Sequence, residues 1–158
     1  LPEAQLDRFL MQVDVDYPSP EAERRMMVAT TTGAAEPIRP VLDGGRLMAL
    51  QALVRRLPIG DQLIDRILAL VRAGRPETSP IEGLAQQVSW GPGPRASQAL
   101  MLAVRVRALL DGRLAPSVED LLAMAPPVLR HRMAVTFAAR ADGIGIDDVI
   151  ARICRHAG

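Results

Sequence analysis

The sequence predicts a mainly α fold, a helical bundle of about five or six helices joined by short connections. Aromatic residues make up only 3% of the 158 residues, so aliphatic side chains and Met must build the core, and such cores favour helices over strands. Apolar residues also recur at helical spacing behind residues that commonly cap helices. The hydrophobic share of 49% is typical of a globular protein.

The first helices of the bundle are predicted from their start signals. Ser19 and Pro20 open a helix that runs to about Thr30, since Ser caps a helix and Pro is tolerated in its first turn. A second helix begins near Asp43, and Asp61 is predicted to cap a third. Each carries apolar side chains on one side, as expected of helices that face a core.

The second half of the chain has three further start signals. A helix is predicted from Pro94 to Leu110, where an Asp-Gly pair stops it. Ser117 and Asp120 form a capping-box pattern, with Asp in the place of the usual Glu. Ile146 opens the last helix, whose aliphatic residues are expected to point inward.

Other segments are predicted to be non-helical. The stretch 74–94 is rich in Pro, Gly and Ser and reads as the longest irregular connection. Pro126 and Pro127 are expected to interrupt the chain, because proline removes a helical hydrogen bond. Residues 133–138 could be extended.

The first 17 residues have a different pattern. Residues 1–9 are predicted to form a short helix, and Met11–Asp16 alternates apolar and polar residues like a strand that ends at Tyr17-Pro18. A strand of this length needs sheet neighbours, and the rest of the sequence offers few. We therefore expect this piece to belong to a larger sheet, and the chain to begin as though cut from a longer protein.

Composition excludes several functions. The net charge of +1 shows no basic excess of the kind that nucleic-acid binding needs, and every basic residue is Arg. A single cysteine, Cys154, permits no internal disulfide, which fits the cytoplasm. No spacing of His and Cys predicts a metal site. The phosphate-binding pattern G-x-x-x-x-G-K-[ST] cannot occur without Lys, so we expect the 158 residues alone not to hydrolyse ATP.

Several segments resemble one protein family. Residues 1–9, LPEAQLDRF, are similar to a stretch near the end of the nucleotide-binding core of MoxR-type AAA+ ATPases. Residues 93–97, GPRAS, resemble the turn and helix start in the helical lid of that family. Two more family-like segments follow in the right order, 108–113 and 125–132, so the resemblance covers nearly the whole chain.

The resemblance implies an architecture and a function. Residues 1–17 would be the end of the ATPase core, with its last helix and strand, and residues 18–158 the helical lid domain. The parent protein would be a cytoplasmic ring, commonly a hexamer, that uses ATP and Mg²⁺ and acts as a chaperone-like maturation factor of the methanol dehydrogenase regulator type. Proteins with a von Willebrand A domain are expected partners; a nucleic acid or a membrane span is not.

Two arginines are the candidate site residues. The resemblance implies that Arg8 is an arginine finger acting in trans and that Arg95 is the sensor-2 arginine, which contacts the phosphates of ATP bound to its own subunit. A basic residue at a helix start is electrostatically unfavourable, which hints at a role for Arg95 other than stability. For Arg8 the alternatives are an ion pair with Glu3 or Asp7, or plain solvation. For Arg95 they are contact with an acidic neighbour or simple exposure.

Other readings stay open. The chain could be a non-enzymatic helical interaction module, or the lid of an ATPase related to magnesium chelatase or to MCM helicases. The paired and clustered arginines, at 24–25, 55–56 and 130–132, are expected to be solvated or ion-paired, with a weak case for a subunit contact at the last. The segment 75–88 receives no role.

Overall fold

A computed structural model describes residues 3–33 and 38–158 of the chain. Nine α-helices occur in this described part: α1 Glu3–Leu6, α2 Pro20–Thr31, α3 Gly44–Arg56, α4 Asp61–Ala73, α5 Leu84–Gln87, α6 Pro94–Leu110, α7 Val118–Leu129, α8 Phe137–Ala141 and α9 Ile146–Ala157. Two short strands, β1 Val88–Trp90 and β2 Ala134–Val135, pair antiparallel, and a 3₁₀ turn, Arg130–Arg132, follows α7. The prediction of a mainly α helical bundle is confirmed.

The core is formed by α4, α6, α7 and α9, which pack against one another. Apart from Asp120 in α7, their buried residues are aliphatic, as the composition predicts, and the largest fully buried side chains in this part of the chain include Ile67, Leu100, Leu121, Ile150 and Ile153. In contrast, α2 and α3 contain no buried residue. They lie outside the core, although α3 contacts α6.

Most predicted helix starts are confirmed by their caps. The Ser19 hydroxyl accepts a hydrogen bond from the Ala22 amide, and the Asp43 carboxylate accepts one from the Arg46 amide at 2.7 Å. At the start of α4 the prediction is wrong by one residue, because Gly60 is the cap and Asp61 is the first helical residue. The starts of α2 and α3 are thus specified by local sequence.

The strand predicted over Met11–Asp16 is not formed. The Gln12 amide instead donates to the carbonyl of Pro127 at the end of α7, at 2.8 Å. A strand forms only where neighbouring backbones can complete its hydrogen bonds, and this segment lies beside a helix end. The alternating pattern was therefore a wrong guide to local structure.

The predicted interruption at Pro126-Pro127 is also wrong, since α7 continues to Leu129 with both prolines inside it. Proline removes its own N–H, but the residues after it can still donate. Val128 and Leu129 are fully buried, so core packing holds the last turn in place. The irregular stretch 74–94 contains α5 and β1, and the segment 133–138 is extended only at β2.

A buried carboxylate ties the start of α7 to the end of α6. Asp120 is 1% exposed, and its two oxygens accept hydrogen bonds from the Arg113 guanidinium at 2.6 and 2.7 Å. The Ser117 amide donates to the same carboxylate at 2.8 Å, which completes the predicted capping box. The hydrogen bonds from Arg113 hold the pKa of Asp120 below its usual value.

We predict that Asp120→Asn lowers the free energy of unfolding by about 1–3 kcal/mol, because charged hydrogen bonds at a buried site are lost. A depressed pKa contributes stability above the unfolded pKa that disappears as pH falls through the folded value. The thermal midpoint of the wild-type protein should therefore decrease when the pH is lowered below about 4. In the variant, the midpoint should depend less on pH in this range. Asp111→Asn is the control: Asp111 binds the same Arg113 but is 53% exposed, so its loss should cost under about 1 kcal/mol. Equal costs for the two variants would contradict the prediction.

Candidate functional site

The first candidate arginine follows a single helical turn. At the end of α1, the Arg8 amide donates to the Gln5 carbonyl at 3.2 Å and the Phe9 amide to the Leu6 carbonyl at 3.1 Å. These bonds bring the chain out of the helix with the Arg8 side chain exposed. Arg8 lies at the rim of a shallow open cavity of about 180 Å³, together with Asp7 and residues from α6.

The second candidate arginine lies on the same cavity. Arg95 is the second residue of α6, after Pro94, and its side chain is 54% exposed. The Arg95 Nε atom lies 3.8 Å from Asp7 Oδ2, so Arg95 does contact an acidic residue, although Asp7 was expected as a partner of Arg8. The structure thus brings the two predicted site residues, Arg8 and Arg95, to one surface on either side of Asp7.

The position of Arg95 depends on a tight backbone contact before α6. A side chain on Gly91 would place its Cβ 2.4 Å from the Gly74 carbonyl oxygen and 2.7 Å from the Arg75 Cα. The Arg75 Nε atom also donates to the Pro92 carbonyl at 2.9 Å. The turn that carries Arg95 is therefore held against the end of α4, which gives the segment after residue 74 a role that the sequence did not suggest.

A third arginine, Arg132, also lines the cavity. Arg132, in the 3₁₀ turn after α7, is only 2% exposed and donates to Asp7 Oδ1 at 3.1 Å. It also donates to the backbone carbonyls of Asp7, Phe9 and Leu10. The sequence predicted a solvated or ion-paired cluster at 130–132. The ion pairs are confirmed, but solvation is wrong for Arg132, because the N-terminal segment covers it.

Positive charge dominates this cavity. Three arginines and one aspartate line it, and the complete lining is Asp7, Arg8, Phe9, Leu10, Arg95, Gln98, Ala99, Leu102 and Arg132. Burial lowers the pKa of Arg132, while the hydrogen bond to Asp7 raises it, and Arg remains charged at neutral pH in either case. The surface can therefore accept an anion that reaches Arg8 and Arg95.

His131 lies next to Arg132 and also contacts the N-terminal segment. Burial lowers the pKa of His131, and its Nε2 atom lies 3.2 Å from the Phe9 carbonyl oxygen. Within residues 3–33 and 38–158, no group of three or more His, Cys, Asp or Glu side chains could hold a metal ion. In the same residues, no helix combines the length and the apolar character needed to cross a membrane.

Comparison with known proteins shows which family the chain resembles. The model of the AAA lid domain matches residues 84–153. The chaperone MoxR1 of Mycobacterium tuberculosis is 37% identical over 155 residues, which are 97% of this chain and 41% of that protein. The protein MoxR of Methylorubrum extorquens is 32% identical over 146 residues, 84% of this chain and 42% of that protein. This chain is homologous to the C-terminal part of MoxR-type AAA+ ATPases.

A solved structure gives the same result. A crystal structure of a candidate ATPase from Cytophaga hutchinsonii superimposes with a TM-score of 0.88 at 27% identity, over 98% of this chain and 48% of that one. The YeaC protein of Bacillus subtilis, which is uncharacterized, is 32% identical over 97% of this chain and 46% of its own length. The chain thus spans less than half the length of these relatives and of the solved structure.

Sequence reasoning missed two residues of this candidate site, Asp7 and Arg132. Both lie inside segments that carry the family resemblance, 1–9 and 125–132. Asking whether these two segments contact each other could have identified both residues. Asp7 was considered only as a partner of Arg8, whereas it contacts Arg95 and Arg132.

We predict that Gly91→Ala displaces the turn that carries Arg95, because the new Cβ would meet backbone atoms that cannot move aside alone. The variant should lower the thermal midpoint by several degrees and shift the amide signals of residues 91–98 in NMR spectra. Gly93→Ala is the matched control, since its Cβ meets open space and Gly93 has a φ of −79°. It should cost no more than about 1 kcal/mol, the effect of a poorer helix cap. A Gly91→Ala variant as stable as Gly93→Ala would contradict the packing described here.

Proposed function

We propose that this chain is the lid-containing part of a MoxR-type ATPase and that its arginine cavity takes up the phosphate end of ATP. Residues 1–17 would end the ATPase core and residues 18–158 would form the lid. The observation that carries the proposal is the joint placement of Arg8 and Arg95 on one positively charged cavity. Their side chains are exposed, so a ligand can reach both guanidinium groups.

The chemistry of ATP hydrolysis suits these residues. Charge develops on the transferred phosphoryl group, and catalysis rests mainly on positioning and electrostatic stabilisation. A guanidinium group is permanently charged and presents N–H donors in a planar fork that matches phosphate oxygens. An arginine supplied by a neighbouring subunit can accelerate the reaction by roughly 10³–10⁵-fold. We propose this role for Arg8.

The size of the cavity supports contact with the phosphate end only. Its volume of about 180 Å³ is below the range of about 300–1,000 Å³ in which small molecules are usually enclosed. The rest of the nucleotide would then be held by another surface. This chain has no lysine for a phosphate-binding loop, and its contribution to the Mg²⁺-nucleotide would be guanidinium contacts to phosphate oxygens.

The shared cavity favours one change to the assignment that the resemblance implied. Arg95 was expected to contact ATP of its own subunit, and Arg8 that of a neighbour. Both side chains line the same cavity, with Asp7 3.8 Å from Arg95 and adjacent to Arg8 in sequence. A cavity of about 180 Å³ is small enough that both side chains would reach the same phosphate group. We therefore propose that Arg8 and Arg95 act together, in trans, on the same ATP.

The assembly and the biological role are proposed from the family. Action in trans requires a homo-oligomeric ring, for which we propose a hexamer in the cytoplasm. The name of the M. tuberculosis relative describes a chaperone, and we propose a chaperone-like, ATP-driven maturation of client proteins with von Willebrand A domain partners.

A second candidate function is a non-enzymatic interaction module. It is favoured by α2 and α3, which bury no residue and expose apolar side chains such as Met27, Met48 and Leu50. The argument against it from an unpaired strand at Met11–Asp16 no longer holds, because that strand is not formed. The charged cavity gives the ATPase proposal the stronger support, since a binding module has no need to bring Arg8 and Arg95 together.

The proposal predicts the behaviour of mixed rings. In the complete polypeptide that the gene encodes, Arg8→Ala and Arg95→Ala should each lower kcat for ATP hydrolysis by about 10²-fold or more. If both arginines act on the same neighbouring ATP, a mixture of the two variants should stay inactive, because every subunit lacks one of the required pair. If Arg95 acts in its own subunit, some interfaces in the mixture combine an intact Arg95 with an intact Arg8, and activity should return.

The controls use the same polypeptide. Arg140→Ala, on exposed α8, should leave ATP turnover unchanged. Recovered turnover in the mixture of Arg8→Ala and Arg95→Ala would overturn joint action in trans while leaving the ATPase proposal intact. Absence of ATP turnover by the wild-type polypeptide, under conditions in which a MoxR-type relative is active, would overturn the ATPase proposal itself.

A further inference from the structure

Arg132 makes more hydrogen bonds to the rest of the protein than its ion pair with Asp7 requires. Its Nε atom donates to Asp7 Oδ1 at 3.1 Å, and one terminal nitrogen donates to the Leu10 and Val128 carbonyls at 3.1 and 2.6 Å. The other terminal nitrogen donates to the carbonyls of Asp7, at 3.0 Å, and of Phe9. A guanidinium group has five N–H donors, and all five have acceptors here.

The partners of Arg132 are concentrated on one segment. Four of the five acceptors belong to residues 7–10, and only the Val128 carbonyl belongs to the same helix end as Arg132. The segment 7–10 lies more than 120 residues away in sequence, so each of these four bonds joins distant parts of the chain. We call this arrangement, Arg132 with residues 7–10, the clasp.

The clasp fixes the backbone on both sides of Arg8. Arg132 holds the carbonyls of Asp7 and Phe9, the two neighbours of Arg8, while the Arg8 side chain itself stays exposed at the cavity. The Gln12 amide continues the attachment by donating to the Pro127 carbonyl at 2.8 Å. The freedom of Arg8 is thereby limited to its own side-chain torsions.

The burial of Arg132 indicates that its charge depends on the hydrogen bonds to residues 7–10. A charged side chain is stable inside a protein only when its hydrogen bonds are completed, and Arg132 is 2% exposed with every donor in use. The same satisfaction excludes direct contact with a ligand, since Arg132 has no free donor and lies beneath the segment. It can act on a phosphate group only through the residues it holds.

We infer that Arg132 is a positioning residue, which clasps residues 7–10 to the helical body so that Arg8 and Arg95 approach a phosphate group as one unit. The inference rests on the proposed function, because it presumes that Arg8 acts in ATP hydrolysis. Asp7 joins the two halves of the unit, since its carboxylate lies 3.1 Å from Arg132 Nε and 3.8 Å from Arg95 Nε. A movement of the helical body thus carries Arg8 with it.

The inference predicts two linked effects of Arg132→Met in the complete polypeptide. Hydrogen–deuterium exchange of residues 8–14 should become at least about 10-fold faster, while exchange of the α6 amides stays unchanged, because the segment is released and the core is not. The kcat for ATP hydrolysis should fall by about 10–100-fold with little change in KM, since a displaced catalytic group affects the transition state more than substrate binding.

Two further variants keep the test decisive. Arg105→Met is the matched control, because Arg105 is a half-buried arginine whose Nε donates to the distant Leu57 carbonyl at 3.0 Å, and it should change neither exchange at 8–14 nor kcat. Asp7→Ala removes the carboxylate that accepts a hydrogen bond from Arg132 Nε. This variant provides the test if Arg132→Met does not fold. It should reproduce both effects in weaker form.

The outcomes separate this inference from the proposed function. Faster exchange at 8–14 with lower kcat supports the clasp as a positioning device. Unchanged exchange in Arg132→Met and Asp7→Ala, or faster exchange with unchanged kcat, overturns it while the ATPase proposal stands. If exchange rises equally in α6, Arg132 serves general stability and the inference is overturned. A wild-type polypeptide without ATP turnover removes the proposed function, and with it the role inferred for Arg132.

Discussion

The geometry of the site depends on the buried charge of Arg132. A single guanidinium group binds one carboxylate and four backbone carbonyls, three of which belong to Asp7, Phe9 and Leu10. Without these acceptors the charge could not remain under a cover that leaves it 2% exposed. The N-terminal segment and the helical body therefore depend on each other, because the segment completes the hydrogen bonds of Arg132 and Arg132 fixes the path of the segment.

A second constraint acts from the opposite side of the cavity. The close approach of Gly91 to the end of α4 sets the turn that precedes α6, and Arg95 is the second residue of that helix. Asp7 connects the two constraints, since both Arg132 and Arg95 contact its carboxylate. Helix packing, backbone contact and a buried ion pair thus converge on one exposed pair of arginines, an arrangement whose geometry suits a phosphate group.

Local signals in the sequence were sufficient for the helices that they specify. Caps such as Ser19 and Ser117 predicted helix starts that the structure confirms, since a cap acts within one turn. Long-range effects were not predictable in this way. Pro127 remains helical because core packing holds the residues after it, and the Gln12 amide bonds to a helix end and not to a strand. Arg8 and Arg95 were predicted as site residues through family resemblance, whereas Arg132 became evident only when its distant partners were known.

The most direct measurement is of the guanidinium protons of Arg132 by NMR in the isotopically labelled 158-residue chain. If Arg132 holds residues 7–10, its Nε and Nη protons should give separate, slowly exchanging signals at neutral pH, with nuclear Overhauser contacts to Phe9 and Leu10. Exposed arginines such as Arg140 should give averaged signals that exchange rapidly with water. An averaged signal for Arg132 without contacts to Phe9 or Leu10 would show that the clasp is absent, and would contradict the joint positioning of Arg8 and Arg95.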